Sequence, residues 1–316
     1  MLSCLMGFKK YSWFVFVCLF ILSACKQPNA RLEQVVLLPN YPSGSALAFL
    51  NNELYLMGDD AASLLKLDKD FTIKDSVLLL ANVGRRMDKA SKPDLEAMTV
   101  LSYKKMSLLL MVGSGSADSL RSVAWLYGPD GKEKIDLNPF YNRLKETGIK
   151  ELNIEGLTTY AGGIILTSRG NKSFRKNFLV FTTKDFFTNQ DSADLKIAAV
   201  GVNSDTSLFN GISGADYATK SDKLFLTVST ENTYDSYADG GIGKSYLWII
   251  NDISRKKFTH INPDRIIDLE AIDARFKGHK IESVCIVNET SKAFELVLAA
   301  DDDKGETLLF KLLLKK

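Results

Sequence analysis

The stretch Lys280–Leu314, "KIESVCIVNETSKAFELVLAADDDKGETLLFKLLL", decides the fold. It reads as three apolar strands separated by polar turns. A glutamate, Glu282, stands near the start of the first strand, and the second ends in Asp301, Asp302 and Asp303. The same unit recurs upstream. "GSALAFLNNELYLMGDD" carries Ser45 where the last copy has Glu282, and "DLEAMTVLSYKKMSLLLMVGSGS" carries Glu96. "NIEGLTTYAGGIILTSRGN" carries Glu155, and "GISGADYATKSDKLFLTVSTEN" carries Ser213. Each copy is a strand, a turn, a second strand with a polar end, a loop and a third strand. A weaker fourth strand follows in most: "KDSVLLL", "KEKIDLN" and "LKIAAVGV".

A phased repeat of this kind points to an all-β propeller with one blade per copy. The key positions are spaced by 51, 59, 58 and 69 residues, longer than the usual ~40–50 per blade. Loops and two short helices, "NPFYNRLKETG" and "DRIIDLEAIDARFKG", are expected to absorb the excess. Five blades are expected, or six if a long interval hides a degenerate copy. Leu269-Glu270-Ala271 mimics the tripeptide but leaves no room for a blade before Glu282. The last copy lacks a fourth strand, and "RLEQVVLLP", Arg31 to Pro39, is the candidate to supply it and close the ring.

The leader is read separately. Lys9 and Lys10 precede an apolar run, and "LSAC" follows, ending at Cys25. This resembles the bacterial lipoprotein signal, which implies a signal peptide over 1–24, lipidation of Cys25, a tether over 25–30 and a propeller over 31–316. The expected location is the bacterial cell envelope, anchored to a membrane by lipid and facing the periplasm, since no acidic run follows Cys25. Without the leader the chain has 38 basic and 38 acidic residues. No nucleic-acid partner is expected from so balanced a chain. Cys285 is then the only thiol besides Cys25, so neither an internal disulfide framework nor a cysteine metal site is expected.

In a propeller the first strand of each blade lines the central channel. The start of that strand and the end of the antiparallel second strand lie at one face. Glu96, Glu155, Glu282, Ser45 and Ser213 should therefore converge near the axis as candidate metal ligands. Around them should stand Asp59, Asp60, Arg169, Asn171, Lys172, Asp301 and Asp302. Glutamates facing one another repel and lose hydration, so they either share protons or hold a cation. Hard oxygen donors without His or Cys favour Ca²⁺ over Zn²⁺. The competing reading has each Glu capping backbone N–H groups of neighbouring blades. Arg169, Asn171, Lys172, Asp301 and Asp302 are candidates for a small anionic ligand, with Arg169 able to clamp phosphate oxygens bidentately. Arg169 has an equally plain alternative role, neutralising the acids around it. Tyr234 and Tyr237, in the loop "STENTYDSYADGGIGKSY", are candidates to stack on a ligand ring. Only His260 and His279 exist, and neither suits a triad at the channel.

"NIEGLTTY", "DLEAMTVL" and "KIESVCIV" with "LAADDD" resemble the strand-opening motif of bacterial esterase-like phytase and SdiA-regulated propellers, and of related propellers of unassigned function. "GSALAFLNNELYLMGDD" is similar to the opening blade of the calcium-activated nucleotidases, the five-bladed apyrases. The resemblance spans all five units. It implies a central Ca²⁺ and, in some members, hydrolysis of phosphoric esters or anhydrides. Ser45 without an adjacent Glu departs from the apyrase pattern. A non-catalytic binding or scaffold propeller is the alternative.

Overall fold

The computed structural model describes residues 29–80, 84, 86–201, 209–231, 242–301 and 305–316. The strand β1 (Ala30–Leu38) comes first but belongs to the last blade. Blade one is β2 (Gly44–Leu50), β3 (Glu53–Gly58), β4 (Ser63–Leu67) and β5 (Ile73–Leu78). Blade two is β6 (Leu95–Tyr103), β7 (Met106–Gly113), β8 (Val123–Gly128) and β9 (Gly131–Asp136). Blade three is β10 (Ile154–Tyr160), β11 (Gly163–Ser168), β12 (Asn177–Thr182) and β13 (Lys196–Val200). Blade four has β14 (Phe209–Ala218), β15 (Lys223–Glu231) and β16 (Ile242–Asn251). The short β17 (His260–Ile261) leaves blade four and adds in parallel to β13, stitching blades three and four; β18 (Arg265–Asp268) then returns beside β16. Blade five is β19 (Lys280–Glu289), β20 (Ala293–Asp301) and β21 (Thr307–Lys315), with β1 antiparallel to β21 on its outer edge.

The inner strands β2, β6, β10, β14 and β19 touch in cyclic order, and β19 meets β2 to close the ring. The protein is thus an all-β, five-bladed propeller closed by its N-terminal strand. Its core lies in the five seams between blades, each a separate apolar cluster. Leu32 and Leu38 of β1 are buried in the two seams that flank blade five.

Asn138–Glu146 is helical as expected, with Pro139 in its first turn and Phe140, Tyr141 and Leu144 packed into the seam of blades two and three. The second expected helix is corrected. Arg265–Asp268 is a strand, because its residues complete the open edge of β16. Asp268 then caps a single turn, Leu269–Ile272, by accepting from the N–H groups of Glu270 and Ala271.

One local feature positions the channel mouth. All five inner strands slip register at the same place: between Gly44 and Ala46, Leu95 and Ala97, Ile154 and Gly156, Ile212 and Gly214, and Ile281 and Ser283. The extra residues are Ser45, Glu96, Glu155, Ser213 and Glu282. A bulge places two residues opposite one and re-aims the added side chain. The residue after each bulge is small because the next blade approaches closely there. A Cβ on Gly214 would lie 2.6 Å from the Glu282 carbonyl oxygen, and one on Gly156 would lie 2.9 Å from the Ala215 nitrogen.

Candidate functional site: the charged channel mouth

The bulges of blades two, three and five bring acids to the mouth, and flanking turns bring both more acids and their counter-cations. Asp94 precedes the blade-two bulge with φ +53°, a left-handed conformation that a short polar side chain tolerates. Its Oδ2 accepts from Ser114 Oγ at 2.5 Å and from Arg121 Nη1 at 2.7 Å. Lys92, two residues earlier, places Nζ 3.1 Å from Asp94 Oδ1 and pairs directly with Asp59 Oδ2. Asp60 pairs with Arg86. Arg121 also donates to the Lys89 carbonyl at 3.1 Å, tying its own loop to the turn that carries Lys92.

One oxygen from each of Asp59, Asp94 and Glu96 lies within 4.8 Å of the others. Glu96 makes no hydrogen bond or ion pair among the described residues, and Lys92 acts on it only at longer range. Asp59 Oδ1 and Asp60 Oδ1 are buried and accept no hydrogen bond among the described residues. The electrostatics follow. Burial, then the charges of Asp59, Asp94 and Glu155, push the Glu96 carboxyl well above its usual range, with Lys92 opposing. Burial pushes Asp59 up to about 7; Lys92 opposes this, and Asp60 and Asp94 add to it. Burial works against the Lys92 ammonium, but Asp59, Glu96 and Asp94 outweigh it and raise its pKa.

Of the five expected metal ligands only Glu96 belongs to this close cluster, and Asp59, expected beside them, joins it. Glu155 accepts from Asn153 Nδ2 at 2.6 Å and lies 3.8 Å from Arg169 Nη1. Glu282 Oε1 lies 2.8 Å from Lys280 Nζ. The serines serve the backbone. Ser45 Oγ donates to the Ser43 carbonyl at 2.9 Å and accepts from the Asp59 N–H. Ser213 Oγ donates to the Ile281 carbonyl at 2.5 Å, joining blades four and five.

Arg169 is buried beside Glu155, its backbone N–H on the Asn153 carbonyl at 2.8 Å. Its guanidinium crosses Gly211 of the next blade, where a Cβ would stand 2.9 Å from Cζ. Asn171 pairs with Glu151 and accepts from the Phe174 N–H at 2.8 Å, so it shapes the turn that carries the half-buried Lys172. Asp301 ends β20 opposite Lys280 in the ladder. Asp302, Tyr234 and Tyr237 lie outside the described residues.

Lys92 and Asp94 were missed by sequence reasoning, although "KPDLE" spaces Lys92, Asp94 and Glu96 at the two-residue period of an extended chain. Arg86 comes from a loop and Arg121 from the single helical turn Asp118–Arg121, and neither leaves such a signal.

The chain belongs to a family of unknown function, DUF6929, whose pattern matches residues 40–314. Its structure is similar to that of Myxococcus xanthus glutaminyl cyclase, with a TM-score of 0.51 at 10% identity, covering 91% of this chain and 97% of that one. Weaker likenesses include a DUF4221 member from Bacteroides vulgatus, with a TM-score of 0.41 at 10% identity over 91% and 99% of the two chains. Virginiamycin B lyase from Staphylococcus aureus gives 0.38 at 10% identity over 90% and 99%. These likenesses are of fold alone. No curated protein matches the sequence.

Proposed function

We propose that this DUF6929 member is a lipid-anchored envelope propeller that binds a divalent cation, Ca²⁺, at its channel mouth and through it a small anionic ligand. One observation carries the reading: the convergence of Asp59, Asp94 and Glu96 within 4.8 Å, with no cation in contact with Glu96 among the described residues. Three carboxylates at full ionisation face two cations in direct contact, Lys92 and Arg121. The cluster is therefore one positive charge short. At lower pH a proton on Glu96 makes up the difference. When that proton leaves, a cation is needed.

The donors fit a hard ion. They are all oxygens, without His or Cys, and Asp59 Oδ1 stands without a hydrogen bond among the described residues. Asp59, Asp94 and Glu96 would hold Ca²⁺, with Lys92 yielding part of its contact to Asp59. Bound there, the ion supplies a Lewis-acidic anchor for an anion's oxygens. Arg169 and Lys172, on the neighbouring blade, offer that anion a fork of donors and a point charge. The resemblance to phytase-like and apyrase propellers makes phosphoric esters and anhydrides the first ligands to try.

A second reading has its own observation in favour: the Lys92 ammonium already touches Asp59 and Asp94, as a permanent internal cation of a binding scaffold would. Calcium titration of the purified protein separates the two. Ca²⁺ should raise the melting temperature, by about 2.7 kcal/mol of stability at a hundredfold excess over its dissociation constant. Glu96→Gln should weaken that response, and Lys92→Met should strengthen it. Absence of any response in both the parent and Lys92→Met makes Lys92 the cation and the acids structural. Turnover of nucleotides, phytate and aryl phosphates, with and without Ca²⁺, then tests hydrolysis.

A further inference from the structure

The channel has a second end. The inner strands that begin at the charged mouth run on to surround a cavity of about 480 Å³, a size typical of small-molecule sites. Its wall mixes Leu47, Phe49, Met98 and Val100 with threonine hydroxyls and the carboxylate of Asp216.

Asp216 is oriented from three blades. Its Oδ2 accepts from the Ile286 N–H at 2.7 Å. Its Oδ1 accepts from its neighbour's N–H, Tyr217, at 2.8 Å and from Thr158 Oγ1 at 3.2 Å. A carboxylate has about four acceptor positions, so one stays available. Asp216 is half-buried and lines the cavity, so a ligand can reach it.

The cations of the cavity gather at one of its two acids. Glu289, the other acid of the cavity, is paired with Lys316 Nζ at 2.8 Å and accepts from the Lys220 N–H at 3.0 Å. Lys220 Nζ in turn donates to the Glu289 carbonyl at 2.8 Å. Asp216 has no such cation among the described residues. Cys285, also on the wall, is buried with its thiol pKa raised by burial and by Asp216, so it stays neutral. Lys220 and Lys316 are thus both drawn to Glu289, and Asp216 presents a carboxylate with no cation in contact among the described residues, beside apolar side chains.

We infer that this far-end cavity binds a small organic amine, with its ammonium on Asp216 and its apolar body against Leu47, Phe49, Met98 and Val100. An ammonium gives Asp216 both a cation in direct contact and the fourth donor, and the half-buried setting strengthens the pair relative to open water.

Titration of the purified full-length protein with 2-phenylethylamine, against 2-phenylethanol as the neutral isostere, tests this. Calorimetry should show saturable binding of the amine with at least about tenfold preference over the alcohol. Asp216→Asn should lose that preference, but it also disturbs the three-blade junction. Val100→Lys is the cleaner variant: it sets an ammonium into the same cavity while leaving the ladder and Asp216 intact. It should weaken amine binding by more than about tenfold with an unchanged melting temperature. Equal affinity for amine and alcohol overturns the inference, as does no saturable binding up to about 10 mM. Wild-type amine affinity in Val100→Lys also overturns it, placing the amine at the acidic mouth instead.

Discussion

The charged mouth should make the metal-free protein less stable as pH rises through neutrality. Asp59 is raised from 3.8 to about 7 in the folded chain. A carboxyl that holds its proton more tightly when folded favours the native state most below its unfolded pKa. That advantage is lost as pH climbs through the folded value. The full shift, about three units, corresponds to about 4 kcal/mol at about 1.4 kcal/mol per unit. Between pH 6 and 8 the same titration removes about 1.4 kcal/mol, or about 3 °C in melting temperature for a chain of this size. Asp216, raised to about 6, adds only about 0.4 kcal/mol in that interval, because most of its loss occurs lower. Glu96 acts in the same direction. The acids held below their usual range, Asp68, Asp185, Asp268, Asp273 and Glu289, act with the opposite sign, and their contribution is complete before pH 6. Urea melts in chelator at pH 6, 7 and 8 measure the fall. Asp59→Asn should remove most of it, and saturating Ca²⁺ should remove it by taking the place of the lost proton. Stability that is flat or rising over this interval, or an undiminished fall in Asp59→Asn, refutes the reasoning.

Deleting residues 31–39 should cost the whole domain its cooperative melt. The deletion uncovers the edge of β21 and takes Leu32 and Leu38 out of two seams. Those two leucines alone account for about 3–6 kcal/mol, a large part of a typical 5–15 kcal/mol total; an unchanged melting temperature would show the strand to be mere tether. Gly211→Ala should destabilise by about 1–3 kcal/mol in urea denaturation, since its Cβ meets the Arg169 guanidinium. A neutral result there would mean that Arg169 swings aside freely. Cys25→Ser should move the protein from the membrane to the soluble fraction or leave it unprocessed, as "LSAC" implies; retained acylation in the variant rules out Cys25 as the lipid site.

The blade count and the closing strand were legible in the sequence, and so were the five repeat positions, which the structure shows to be bulges. Strands, turns and their phase are local properties, written in the two-residue alternation and the turn residues of each copy. Five repetitions made a weak tripeptide decisive, and each of its central residues, from Ser45 to Glu282, is a bulge. The segment after Asp264 was misread as a helix because its own pattern carries no trace of the open edge of β16 that it completes. Tertiary structure alone decided which charges meet. Ser45 and Ser213 occupy the same register as the glutamates, yet their hydroxyls are engaged by backbone oxygens, that of Ser43 on the same turn and that of Ile281 on the next blade, which only the packed blades supply. Arg86 arrives from a loop and Arg121 from a single helical turn, each more than twenty residues from the acid it meets, and the far-end cavity is lined largely by residues that read as ordinary strand. Coulomb energy depends on distance in space and on burial. Closing the ring sets both, and so it decided that Glu96 touches no cation among the described residues while Glu155 and Glu282 have theirs.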